Sequence, residues 1–320
     1  MLAVWLESGG MELRDLPKPE PGPDEALVRV LMVGVCNTDL ELMAGYYGFV
    51  GIPGHEFVGL VDRAPSRPDL VGHRVVAEIN LGCGRCPRCL SGDSRHCPER
   101  KALGIKGAPG AMAEYVTVPA GNLRAVDQAI SDRQAVFAEP LAAALEPAQQ
   151  IHLTAGTKLL VLGDGKLGLL CALGLRHWVP GLVLAGRHKG KLDIAQAQGV
   201  ATVQSDEPKL SAERFKVVVE ATGSPQGLAQ ALALVRPEGV IIAKTTSREP
   251  SSLDLAKLVV DEITLLGSRC GDLGLALHFL QNRLVDPEPM IQAEFPLAQA
   301  KEAFAAAGKR GALKVLIKTS

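Results

Sequence analysis

The sequence predicts an α/β chain: a partly open β-barrel, then a doubly wound parallel sheet, then a short return to the barrel. Three observations carry this. Short β-type segments divided by turns fill the chain to about residue 135. From about residue 156, apolar strands alternate with helical stretches. A G-x-G-x-x-G turn sits where the first of those strands meets its helix.

In chain order, the first part reads as LAVWLE, the proline-rich PKPEPGPDE, then ALVRVLMVGV, HRVVAEI and AEYVTVP. The second reads as KLLVLG, a helix near 166–178, LVLAG, a helix near 189–198, FKVVVEAT, a helix near 225–235, GVIIAKT and ITLLGS. The tail has a strand, a helix in PLAQAKEAFAAA and a final strand in ALKVLIKT. The expected division is 1–147 for the barrel, 148–284 for the doubly wound sheet and 285–320 for the return. No internal repeat or low-complexity tract interrupts it.

Composition narrows the class. With 320 residues, 47% hydrophobic and 22% charged, the chain is an ordinary globular protein and neither disordered nor fibrous. A formal net charge of −1 supplies no general attraction to nucleic acid or an anionic membrane. MLAVWLESGG has no signal-peptide pattern, and Asp164 and Lys166 interrupt LLVLGDGKLGLLCALGL, so a cytoplasmic protein is expected.

Seven cysteines in such a chain read as thiols or metal ligands. Cys83, Cys86, Cys89 and Cys97 form C-x2-C-x2-C-x7-C in CGRCPRCLSGDSRHC, among residues that cannot build an apolar core. Four thiolates closing on one Zn²⁺ would hold such a lobe together, and a closed site is structural. Arg85, Arg88, Arg95 and Arg100 lie in or beside it without an aromatic stacking platform, which argues against nucleic-acid binding.

GVCNTDLELMAGYYGFVGIPGHEF brings a second donor set: Cys36, His55 and Glu56. Thiolate, imidazole and carboxylate are the donors of a catalytic zinc with an open position. On local pattern alone, a buried structural cysteine and a loop histidine beside Gly54 account for them better.

In KLLVLGDGKLG, Gly163 permits the turn, Gly165 lets a pyrophosphate approach the backbone and Gly168 allows close helix packing; Lys166 and Leu167 open the helix. A nicotinamide fits better than a flavin, because a hydride carrier suits a zinc-polarised alcohol or carbonyl. An NAD-preferring strand two ordinarily ends in an acid that binds the ribose 2′-hydroxyl. LVLAGRHKGKL has Gly186 there, followed by Arg187, His188 and Lys189. Glycine would leave room for a 2′-phosphate and the bases would surround it, so NADP is expected over NAD; the alternative is a solvated basic helix start.

The succession GVCNTD, GHE, the cysteine lobe, AEPLA, GDGKLG and VEATG resembles the zinc-dependent medium-chain alcohol dehydrogenases over essentially the whole chain. That family joins a GroES-like catalytic domain to a Rossmann cofactor domain. The pattern is most similar to the polyol, glucose and threonine dehydrogenase branches, which have a carboxylate, here Glu139, where liver-type enzymes have a cysteine ligand. The resemblance implies two zinc ions per chain, one catalytic and one structural. Cys36 and His55 would bind the catalytic ion, with Glu139 and Glu56 as further candidate ligands. By local reading, Glu139 would simply complement the dipole of a helix beginning at Pro140. Asp39 would orient the zinc-bound histidine and Thr38 would relay the substrate proton. Glu41 stands where liver-type enzymes often have a relay histidine, and Asn37 where they often have a phosphate-binding arginine. Thr222 and Gly223 of VEATG would line the cofactor turn. The segments after GHE and after the lobe are shortened against the family, which leaves the substrate unassigned.

The expected function is hydride transfer between an alcohol, polyol or carbonyl substrate and NADP or NAD by a homo-oligomer, dimer or tetramer. The rival readings are a zinc-independent quinone or enoyl reductase and a non-catalytic NADPH-binding sensor.

Overall fold

The computed structural model describes residues 1–7, 10–246 and 249–319, the side chain of Ser211 apart. The chain forms two compact units. The first comprises Met1–Glu139, Leu280–Asn282 and Pro287–Ser320; the second comprises Pro140–Phe279 and Arg283–Asp286.

The first unit is organised around the strand Glu25–Gly34, whose Val28, Val30 and Val33 are fully buried. It pairs antiparallel with Glu56–Arg63, Tyr115–Pro119 and Lys314–Lys318. Ile291–Pro296 extends the sheet beside Lys314–Lys318, and Arg74–Ala77 with Leu123–Ala125 extends it at the other end. The register sets Gly34 opposite both Glu56 and Leu316. Glycine is required there by close approach: a Cβ would lie 2.8 Å from Glu56 Oε2 and 2.9 Å from Val136 Cγ1. A separate hairpin joins Leu2–Glu7 to Gly10–Asp15, and a three-stranded sheet, Asn80–Leu81, Lys101–Leu103 and Gly107–Ala108, carries the cysteine lobe.

The second unit is a six-stranded parallel sheet in the order Ala201–Gln204, Val183–Gly186, Leu159–Leu162, Phe215–Glu220, Val235–Ala243 and Thr264–Gly267. From Leu159–Leu162 the chain builds first to one side and then to the other. That reversal opens a crevice at the carboxyl end of the strand, where doubly wound sheets bind nucleotides. All four residues of Leu159–Leu162 are buried, as are eight residues of the helix Lys166–Leu175. Each fully buried Leu or Val contributes about 1.5–3 kcal/mol, so this strand and helix form a rigid base for the turn between them.

The expected fold class is thus the observed one. Local elements differ. Asn37–Met43, inside the turn-rich stretch, is a helix, and Leu273–Gln281 is a further helix. The helix expected to begin at Pro140 begins at Ala138, so Glu139 and Pro140 both lie in its first turn. Among the described residues no helix is long and apolar enough to cross a membrane.

Candidate functional site

Cys36 is the N-cap of the helix Asn37–Met43, and Asp39 in that helix organises everything around it. The Asp39 carboxylate is fully buried and accepts the backbone N–H of Cys36 at 2.8 Å and that of Gly54 at 3.1 Å. It therefore ties the segment carrying Cys36 to the segment carrying His55. Burial raises the pKa of Asp39, and the facing His55 opposes that rise. The donor atoms of Cys36, His55 and Glu56 lie within 4.8 Å of one another. His55 is buried, and among the described residues its Nδ1 has no hydrogen-bond partner, standing 3.7 Å from Asp39 Oδ1. Desolvation disfavours a charged imidazole, but Asp39 and Cys36 outweigh it and hold the pKa well above the ordinary value. Three anionic or imidazole donors around a cation-favouring point are the chemistry a catalytic zinc requires. The Cys36 thiol also donates to Thr38 Oγ1 at 3.7 Å. Glu41 shares the helix one turn on and is half-buried.

Sequence reasoning missed Lys314. Its ammonium is buried in a close ion pair with Glu56 and lies 5.6 Å from the Phe137 ring centre. Desolvation works against its charge, yet Glu56 and Cys36 raise its pKa. Glu139 stands outside the 4.8 Å group. Its carboxyl is nevertheless pushed up to about 7 by desolvation, which His55 opposes and Glu56 reinforces. It is a carboxylate whose ionisation a nearby cation would favour.

The four cysteines converge as their spacing predicts, with all four sulfurs within 4.8 Å. The helix Pro87–Leu90 starts at Cys86, whose Sγ accepts the Cys89 N–H at 3.5 Å, while Cys97 Sγ accepts the Cys83 N–H at 3.4 Å. Gly82 is needed for the fold of this loop: a Cβ there would lie 2.7 Å from Cys89 Sγ. The N–H groups of Arg85 and Cys86 lower the Cys83 pKa to about 6, whereas burial raises that of Cys89 to about 11. The set fits a tetrahedral structural zinc.

In the second unit the glycine turn has the cradle form. Gly163 has φ +116°, and a Cβ on it would lie 2.5 Å from the Ala221 carbonyl oxygen. A Cβ on Gly168 would lie 1.9 Å from the Gly163 carbonyl, while one on Gly165 would meet nothing within 4 Å among the described residues. The first and third glycines thus serve packing, and the second leaves open the face a pyrophosphate would approach. Lys166 and Leu167 form the first turn of the helix above. Thr222 and Gly223 are set by Glu220, a second residue the sequence reading missed. Its buried carboxylate accepts the Thr222 N–H at 2.8 Å and the hydroxyls of Thr222 at 2.7 Å and Thr245 at 2.8 Å.

At Gly186 the expected empty space is filled. A Cβ there would lie 2.5 Å from Asp164 Cβ, so Gly186 makes room for Asp164 rather than for a ligand. Arg187, His188 and Lys189 follow, all exposed.

Comparison with known proteins agrees with both units. The alcohol dehydrogenase GroES-like domain matches residues 22–128. The L-threonine 3-dehydrogenase of Streptomyces coelicolor is 30% identical over 330 residues, 96% of this chain and 96% of that one. The sorbitol dehydrogenase of Halalkalibacterium halodurans is 28% identical, covering 97% of this chain and 96% of its own. A zinc-binding dehydrogenase of Sinorhizobium meliloti, solved with NADP, superposes with a TM-score of 0.90 at 29% identity over 99% of each chain. Two thiol-bearing donor sets on a GroES-like unit, a dinucleotide cradle and full-length relatives together place the chain in the zinc-dependent medium-chain dehydrogenase family, whose members are NAD(P)-dependent oxidoreductases of alcohols and polyols.

Proposed function

We propose that the chain oxidises an alcohol or polyol, or reduces the matching carbonyl, at Cys36, His55 and an acidic donor, with NADP(H) preferred over NAD(H). The observation that carries this reading is the convergence of the Cys36, His55 and Glu56 donor atoms within 4.8 Å of one another, on a buried imidazole that faces the buried Asp39 carboxylate. Zinc held there would polarise the substrate oxygen and lower its pKa, and the nicotinamide would carry the hydride. The chain's own residues do the rest. Asp39 holds the backbones on either side of the donors and keeps the His55 ring in place. Thr38, beside Cys36, takes and passes the substrate proton, and Glu41, one turn on in the same helix, is the next group toward solvent. Glu139 and Glu56 are the acidic donors; Lys314 draws on Glu56, which favours Glu139 as the steadier ligand. Cys83, Cys86, Cys89 and Cys97 would hold a structural zinc.

Metal chemistry belongs to 1–147 with the 285–320 return, and cofactor binding to 148–284. The preference for NADP is supported by the exposed basic residues after Gly186 and by the NADP-bound relative. Homo-oligomer formation is supported by the edge strand Thr264–Gly267 and the neighbouring helix Leu255–Val260, where Leu255, Val259 and Val260 are 64%, 63% and 80% exposed. Cytoplasmic residence fits seven cysteines none of which is in a disulfide.

A panel of alcohols, polyols and their carbonyls, assayed with both cofactors at fixed ionic strength, tests the reading. Zinc-dependent turnover with an alcohol or polyol is expected. Turnover unaffected by zinc removal would indicate a quinone or enoyl reductase, and tight NADPH binding without turnover on any substrate would indicate a sensor.

A further inference from the structure

We propose that Asp164, in the middle of the glycine turn, is the positioning residue for cofactor discrimination: its carboxylate fixes the 186–188 turn so that Arg187 meets the 2′-phosphate. This rests on the reading that NADP is the preferred cofactor. The dinucleotide fingerprint leaves position 164 free, and a small neutral residue would serve the turn. A carboxylate only 7% exposed therefore needs its own reason. The reason is on its far side. Asp164 Oδ2 accepts the N–H of Arg187 at 2.7 Å and the N–H of His188 at 2.6 Å, and His188 Nδ1 lies 3.0 Å from the same oxygen and 3.2 Å from Oδ1.

Three consequences follow from that cluster. No acid can stand at the end of Val183–Gly186, because any Cβ at Gly186 would overlap Asp164 Cβ at 2.5 Å and its Oδ2 at 2.6 Å. The negative charge that is present faces two backbone N–H groups and an imidazole, so it is offset inside the turn. The three basic side chains also part company. Nδ1 of His188 is engaged by Asp164, whereas Lys189 shares with Asp193 only an i,i+4 pair at 2.9 Å whose partners are 78% and 48% exposed, so that water screens it and holds Lys189 weakly. Arg187 is exposed and, among the described residues, its guanidinium has no hydrogen bond or ion pair. Its backbone N–H is one of the two Asp164 holds, so Asp164 sets where that guanidinium starts from. A planar guanidinium is the group suited to a phosphate monoester.

The test measures dissociation constants of NADP and NAD by calorimetric titration for the intact chain and for Asp164→Ala, Asp164→Asn, Arg187→Ala and the double variant Asp164→Ala with Arg187→Ala. Asp164→Ala should weaken NADP binding by about tenfold to a hundredfold, the value of a charge-assisted contact, and leave NAD binding within about threefold of the intact chain. Asp164→Asn keeps an acceptor and the volume and should retain most of the preference. Arg187→Ala should lose as much as Asp164→Ala, and the double variant no more than either, since one residue acts through the other. Unchanged NAD affinity shows that the fold survives each change. An unaltered NADP to NAD ratio in Asp164→Ala overturns the inference. So does tighter NADP binding in either Asp164 variant, which would make Asp164 a repelling charge. If the intact chain binds NAD more tightly, the NADP reading itself fails and the inference goes with it.

Discussion

The two thiol-bearing sites of the first unit are built in opposite ways. The cysteine lobe takes all its donors from Cys83–Cys97, and Arg85, Arg88 and Glu99 in or beside it are exposed; the Arg85–Glu99 pair is 76% and 59% exposed. The other site draws Cys36 from a helix cap, His55 and Glu56 from the start of a strand, and Lys314 from a strand 258 residues beyond Glu56. Its charges are buried, with Asp39, His55, Glu56 and Lys314 all nearly inaccessible. A local loop with few apolar contacts depends on its metal to hold together, whereas a site embedded in a sheet keeps its geometry and can leave a coordination position open. The first kind of site is structural and the second can turn over.

The largest effect expected from this contrast is in Cys36→Ser. Turnover should fall to background and zinc content from two ions per chain to one, with the far-ultraviolet circular dichroism unchanged because the sheet does not need the ion. Metal analysis beside the assay decides it. A variant that keeps both ions, or a chelator that empties both sites at one rate, would erase the distinction between them.

Next comes the buried charge that the open site depends on. Lys314→Met leaves Glu56 ionised without its partner in a dry environment, which costs about 3–5 kcal/mol. Urea melts of metal-depleted protein should show that loss, and adding Glu56→Gln to the variant should recover much of it. If Lys314→Met alone melts like the intact chain, Glu56 is neutral or solvated and the pair does not shape the site.

A smaller, pH-dependent effect attaches to Glu139. Desolvation lifts its pKa from 4.5 to about 7, so the folded chain holds a proton that the unfolded chain has released across that window. Its contribution is fully present below pH 4.5 and is lost as pH rises towards 7, by at most about 3 kcal/mol and less for a partly exposed group. In metal-depleted protein, Glu139→Gln should remove this slope between pH 5 and pH 7, roughly. It should also weaken zinc retention at the open site. A stability profile identical to that of the intact chain would reduce Glu139 to a residue of the first helical turn.

The same contrast explains what the sequence made legible. The cysteine lobe could be read because its donors are contiguous and spaced as a tetrahedral site demands, and the glycine turn because Gly163, Gly165 and Gly168 each answer a backbone constraint within one strand and helix. The doubly wound sheet was legible in its buried central strands, but Ala201–Gln204, at the sheet edge and half-exposed, shows no such apolar run. Lys314 hid inside the apolar strand ALKVLIKT, where alternation would send one lysine to solvent; only the pairing of that strand with Glu25–Gly34 brings it to Glu56. Asp164 and Gly186 were each read alone. Their contact arises from the parallel neighbours Leu159–Leu162 and Val183–Gly186, and spacing along one chain does not report it.

The smallest expected effect lies in the lobe and concerns charge alone. Arg85 pairs with Glu99 at 2.7 Å, a distance as short as many buried pairs, so geometry by itself would rank it with Lys314 and Glu56. Accessibility ranks it otherwise. Both partners stand in water, where the attraction is screened and holding two long side chains in one geometry costs as much entropy as the contact returns. Neither group loses hydration when the partner is removed, so no buried charge is left behind. Arg85→Ala should therefore leave the melting temperature, the zinc content and turnover unchanged at ordinary ionic strength. A measurable loss of zinc from the four-cysteine site in this variant would mean that Arg85 supports Cys83 through its side chain as well as its backbone N–H, and the lobe would then share the dependence on charge that marks the open site.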